Sequence, residues 1–91
     1  MITLRQMRYF DALATTHHFG RAAAMVHVSQ PALSAQIGEM ERLLDMTLVE
    51  RGRGATMLTA EGVALLPEIR HIIALVDRLH DRASTRRGGG G

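Results

Sequence analysis

Six residues in the middle of the chain, Ser29, Gln30, Pro31, Ser34, Ala35 and Gly38, have types and spacing suited to reading a polar surface rather than to catalysis. A glutamine amide donates and accepts in a fork that matches adenine N6 and N7, and a serine hydroxyl pairs with either kind of base edge. Pro31 and Ala35 offer apolar contact for thymine methyl groups, and small side chains let a helix sink into a major groove. Arg21, Arg51 and Arg53 add planar guanidinium groups, whose bidentate geometry suits phosphate and guanine. The five histidines, 17, 18, 27, 71 and 80, form no i, i+4 pair and no zinc motif, so His17 and His18 read as a polar turn. No Ser/His/Asp set, glycine-rich phosphate loop or inward carboxylate pair is present, and the reading is of a non-enzyme without metal or cofactor.

The elements that position these residues are mostly helical. Thr3 and Gln6 form a capping box before a helix from Leu4 to about Thr15, with Leu4, Met7, Phe10 and Leu13 or Ala14 at helical spacing. A short second helix is expected over about Arg21 to Val26, with Gly20 as its cap and Phe19 and Ala24 as a hydrophobic staple. The third helix starts at the N-cap Ser29. Gln30 and Pro31 fill its first turn, where a proline's missing N–H costs little. Leu33, Ile37, Met40 and Leu44 then make a narrow apolar stripe. At about 100° per residue, Pro31, Ser34, Ala35, Gly38 and Arg42 lie on an arc about 90° to 190° from that stripe, with Gln30 flanking it. Glu39 and Glu41 would repel phosphate, so the reading end is the N-terminal half, where the helix dipole favours anions.

Two helices joined by "HVS" spell a helix-turn-helix. "TLVER" and "ATMLT", separated by Gly52-Arg53-Gly54, read as a two-stranded hairpin, a wing carrying Arg51 and Arg53 near its tip. After Thr59 a long helix runs to about Ala83. Its seam of Leu65, Ile69, Ile72, Val76, Leu79 and Ala83 has the spacing of a coiled-coil pair and predicts homodimerisation. Pro67 inside it demands either a bend or first turns supported by packing. The expected organisation is therefore mainly α: a winged helix-turn-helix over 1–59, a linker and dimerisation helix over 60–84, and a flexible glycine-rich tail or hinge over 85–91.

Composition narrows the setting. The 91 residues carry a net charge of only +2, and every basic residue is arginine, so charge alone argues weakly for nucleic acid. There is no cysteine, which excludes disulfides and Cys-based zinc sites and fits a cytoplasmic protein. No apolar run is long enough to span a membrane, and "MITLRQMRYF" lacks a signal-peptide core. A rival to DNA reading is a helical protein-interaction module that uses its heptad seam and has no DNA partner.

The stretch "FGRAAAMVHVSQPALSAQIGEMERLLDMTLVER", with "LRQMRYFDALA" before it and "LTAEGVALLPEIRHII" after it, resembles the DNA-binding domain of LysR-type transcriptional regulators over roughly residues 3 to 83. The wording "HF.RAA" and "HVSQPALSAQI" leans towards the peroxide-responsive branch of that family. The resemblance implies a bacterial regulator that binds dyad-symmetric promoter DNA as a dimer and forms tetramers when a C-terminal effector domain follows. It also implies association with the nucleoid when bound. It implies recognition-helix contacts from Ser29, Gln30, Pro31 and Ser34, and a basic wing position at Arg53 with Arg51 just before it. Ala35 and Gly20 stand where many members have Arg and Thr, and the wing is less basic than is common, so weaker non-specific binding is expected.

Overall fold

The structure, a computed structural model, describes residues 1–52 and 54–89, without the side chains of 87–89. Four helices and a small hairpin follow in the order α1 (Leu4–Thr16), α2 (Phe19–Met25), α3 (Gln30–Leu44), β1 (Val49–Glu50), β2 (Met57–Leu58) and α4 (Ala60–Gly89). The strands pair antiparallel, with Val49 opposite Leu58 and Glu50 opposite Met57. This is a helix-turn-helix with a wing and a long C-terminal helix, as the sequence predicts.

Local chemistry sets the starts of α1 and α3. The Thr3 hydroxyl accepts from the Gln6 N–H at 3.1 Å, and the Gln6 side chain accepts from the Thr3 N–H at 3.0 Å. The Ser29 hydroxyl accepts from the Ala32 N–H at 3.2 Å, which fixes the first turn that holds Gln30 and Pro31. Helix α2 departs from expectation. It begins at Phe19, not Arg21, and ends at Met25, one residue before Val26. Its cap is His18, whose imidazole accepts from the Arg21 N–H at 3.1 Å. Gly20 is thus inside the helix, and the Phe19–Ala24 staple dissolves because Phe19 is itself the first helical residue. The turn into α3 passes through His27 at φ 61°, a left-handed position of the kind in which histidine is enriched among non-glycine residues.

The core gathers Phe10 and Leu13 from α1, Ala22 and Ala23 from α2, Leu33, Ile37 and Met40 from α3, Leu48 and Val49 from the wing, and Ile69 and Ile73 from α4. Gln6 is buried as well; its amide donates to the Gln36 side chain at 3.1 Å and so ties α1 to α3. Removing a group from that pair would leave a buried polar partner unsatisfied.

Helix α4 lies along α1. Arg70 donates to Asp11 at 2.7 Å, and Arg8 pairs with Asp77 at 2.8 Å. Its start is held by Thr59, whose hydroxyl accepts from the Gly62 N–H at 3.0 Å. Gly62 has no room for a side chain: a Cβ there would sit 2.3 Å from the Leu48 carbonyl oxygen. The helix continues through Pro67, which is exposed, with Leu65, Leu66 and Ile69 packed on the core to either side. Packing therefore supports the turns around the proline. The helix also outruns the expected boundary at 84. Residues 85–89, expected in the tail, continue it: Thr85, Arg86 and Arg87 contain no breaker, and the helix reaches its end within the glycines that follow. Residues 90 and 91 lie outside the described residues.

Candidate nucleic-acid interface

The start of α3, the start of α2 and the wing border one polar groove of about 310 Å³. Gln30 and Ser34 form its α3 wall, His18, Phe19 and Gly20 its α2 wall, and Arg51, Gly52, Gly54 and Thr56 its wing wall. Gln30 is exposed and Ser34 half-buried, and neither side chain makes a hydrogen bond among the described residues. Pro31 and Ala35 are exposed beside them, and Gly38 is half-buried further along the same helix. Ser29 is exposed but its hydroxyl is committed to the cap, so its first task is to shape the helix end.

The two glutamates at the other end of α3 are not free charges. Glu39 pairs with Arg42 through two hydrogen bonds, Arg42 Nε donating at 2.9 Å. That bond holds the Glu39 carboxyl below the usual carboxylate range and raises Arg42 above its own. Glu41 accepts from the Leu48 N–H at 2.7 Å, from the Val49 N–H at 3.3 Å and from Arg51 at 3.2 Å. It fastens the first wing strand to α3. Its sequence context gave it only a repulsive role; its structural one depends on an approach of backbone seven and eight residues away.

Arg51 is drawn to the base of the wing. Besides Glu41 it meets Phe19, its guanidinium carbon 5.4 Å from the ring centroid, within cation–π range. It is brought into one groove with Gln30 and Ser34, as a wing arginine should be, but its charge is partly balanced there. Arg21 is exposed on α2 and does not line the groove. Arg53 lies outside the described residues. The second wing strand is anchored by residue 17: the Thr56 N–H donates to the His17 carbonyl at 2.8 Å, and the His17 ring stands 3.3 Å from the Thr56 carbonyl. The tandem histidines, read from sequence as a plain polar turn, thus hold the wing and cap α2. No group of His, Asp and Glu among the described residues is placed to hold a metal ion.

The seam expected on α4 divides in two. Leu65 and Ile69 pack into their own domain, and Val76 is half-buried. Ile73, outside the expected seam, is 8% exposed and takes the inward place. Ile72 and Leu79, with Leu75, remain 41%, 65% and 44% exposed, and Ala83 is exposed further on. The physical reason is that the apolar arc of α4 is wider than the a/d stripe. Ile73 stands about 100° around the helix from Ile72, so one flank faces α1 and the other is left over.

A capped reading helix behind a short first helix, with a two-stranded wing beside it, defines a winged helix-turn-helix protein. The sequence matches the family described as "Bacterial regulatory helix-turn-helix protein, lysR family" over residues 4–63, and the chain belongs to that family. It is 42% identical over 88 residues to the uncharacterized HTH-type transcriptional regulator YnfL of Escherichia coli K12, covering 97% of this chain and 30% of that protein. The DNA-binding transcriptional dual regulator OxyR of the same organism is 39% identical over 83 residues, covering 91% of this chain and 27% of that protein. The hydrogen peroxide-inducible genes activator of Pectobacterium carotovorum subsp. carotovorum is likewise 39% identical over 83 residues, covering 91% of this chain and 28% of that protein, beside other relatives of equal or higher identity. Among solved structures, the CbnR DBD–DNA complex superposes with a TM-score of 0.84 at 36% identity, covering 93% of this chain and 98% of that one. The chain spans about 30% of the length of the curated relatives it matches.

Proposed function

We propose that this chain is the DNA-reading part of a bacterial transcription regulator, acting without catalysis in the cytoplasm. Helix α3 enters the major groove N-terminus first, Gln30 and Ser34 meet base edges, and Pro31, Ala35 and Gly38 allow close approach. Arg21 and the wing arginines Arg51 and Arg53 serve the phosphates. The observation that carries this reading is the pair Gln30 and Ser34. Their polar side chains sit at the exposed, capped end of α3 with no partner among the described residues, while the acidic end of the same helix is satisfied internally. The CbnR complex, whose fold this chain shares, contains DNA.

The same reading includes assembly. The exposed stripe of Ile72, Leu75 and Leu79 is the flank through which α4 meets a second copy, giving two reading heads for an inverted repeat. Of the expected seam, Ile72, Leu79 and Ala83 stand on the exposed side, and Leu65 and Ile69 serve the fold. Where an effector domain follows, as the greater length of the relatives allows, dimers pair into tetramers. No helix among the described residues is long and apolar enough to cross a membrane.

Selection of duplexes from a random pool at near-physiological salt tests the reading. An enriched inverted repeat is the expected result. Binding without enrichment would reduce the protein to a non-specific DNA binder. A folded dimer that binds no duplex would overturn the reading in favour of a protein-interaction module.

A further inference from the structure

Gln30 stands at the exposed end of α3 with its amide uncommitted among the described residues. The side chains around it are either spent elsewhere or do not reach it. The Ser29 hydroxyl takes the Ala32 N–H, and His18 Nδ1 takes the Arg21 N–H. Arg51 is drawn to Glu41 and to the Phe19 ring. Ser34, one turn further along α3, makes no side-chain hydrogen bond among the described residues, so it does not hold the amide either. Across the groove from the amide stands Gly20. A Cβ on Gly20 would lie 3.5 Å from Gln30 Oε1. A hydroxyl carried by that Cβ would come within hydrogen-bond reach of the same oxygen. Glycine offers it nothing.

A carboxamide can meet either purine in the major groove. Adenine and guanine both present N7 as an acceptor; adenine adds the N6 donor and guanine the O6 acceptor. The amide has two N–H donors and an accepting oxygen. One N–H serves N7 of either purine. The oxygen then takes adenine N6–H, or the second N–H serves guanine O6. Cytosine presents only a donor and thymine a single acceptor beside its methyl group, so neither completes the fork. Which purine is preferred therefore depends on which way the amide is held, and a reading side chain is held by hydrogen bonds from its neighbours.

We propose that Gly20 makes Gln30 a reader of purines rather than of adenine, an inference that rests on the DNA-reading function proposed above. With no side chain at position 20 to hold Oε1, the amide turns to suit adenine or guanine at the base pair it faces. Gly20 touches no base in this account. It sets the specificity of the residue that does.

The test is selection of duplexes from a random pool by the whole chain, repeated with Gln30→Ala, Gly20→Ala and Gly20→Ser. The Gln30→Ala pool marks the base position that Gln30 reads, as the one where preference is lost. There the wild type is expected to enrich both purines over both pyrimidines, with adenine and guanine closer than the roughly tenfold separation that one full hydrogen bond can give. Gly20→Ser supplies a donor to Oε1 and leaves the NH2 group facing the bases. It is expected to raise guanine over adenine by about two- to tenfold, the range of one neutral hydrogen bond. Gly20→Ala is the control. Its Cβ meets His18 Cε1 at the same 3.0 Å as the serine Cβ would, but it carries no hydroxyl, so its purine ratio is expected to match the wild type. A single purine at that position in the wild-type pool would overturn the proposal, and that result needs no substitution at position 20. So would a Gly20→Ser pool with the wild-type ratio or shifted to adenine, a Gly20→Ala pool shifted as far as the serine pool, or a Gln30→Ala pool changed at no position. If the wild type enriches no sequence, the DNA-reading function and this inference fall together. An enriched inverted repeat with one purine at the Gln30 position removes this inference alone.

Discussion

Helices α3 and α4 are both amphipathic, yet they finish differently. Helix α3 buries its stripe inside its own domain, with Leu33, Ile37 and Met40 all at 0% exposure. Helix α4 buries Ile69 and Ile73 but leaves Ile72, Leu75 and Leu79 uncovered. A helix whose apolar face is complete within the monomer is rigidly placed and can offer its polar face to a ligand. A helix whose apolar face is only half used has surface left that is best covered by another chain. Exposed apolar side chains in a row mark an association face more reliably than scattered ones. On the proposed function, the difference would separate reading from assembly along one short polypeptide.

Substitutions sharpen that contrast in order of size. Leu33→Ala removes a fully buried side chain from the centre of the domain and should destabilise it by about 2–5 kcal/mol, read by chemical denaturation. A cost as small as that of a surface change would mean α3 is not locked into the core. Gln30→Ala should cost about 1–3 kcal/mol of discrimination at one base position while leaving thermal stability near that of the wild type. An unchanged preferred sequence would remove Gln30 from the reader. Ser29→Ala deletes the α3 cap and should cost about 1 kcal/mol of stability, with affinity falling as the first turn frays. Leu79→Asp should have the smallest effect on monomer folding, within about 0.5 kcal/mol for an exposed position. It should nevertheless shift sedimentation from dimer to monomer. An intact dimer would move the association face away from Leu79 and Ile72.

Glu41 shows why the two ends of α3 cannot be judged by charge alone. Its position on the reading helix suggests repulsion of phosphate. In the fold its carboxylate takes two backbone N–H groups of the wing and the Arg51 guanidinium, so its charge is spent inside the domain. Arg51 is held at the same time, and the wing arrives at the groove in a fixed orientation.

Much of this protein is decided by its sequence within four or five residues of each point. The Thr3–Gln6 box, the Ser29 cap, the first-turn position of Pro31 and the spacing of Leu33, Ile37 and Met40 set α1 and α3 and bring Gln30 and Ser34 to an exposed helix end. Hydrogen bonds and periodicity of this kind are local, so they are legible without the fold. What only the tertiary structure decided depends on residues brought together from afar or on competition between neighbours. His18 rather than Gly20 caps α2, because the helix starts at Phe19 and the His18 imidazole reaches the Arg21 N–H, while the His17 backbone before it is tied to Thr56 of the wing. Ile73 rather than Ile72 faces inward, because α4 packs along α1 on one flank of a wide apolar arc. Periodicity fixes which residues share a helix face; only packing against another element fixes which part of that face is covered.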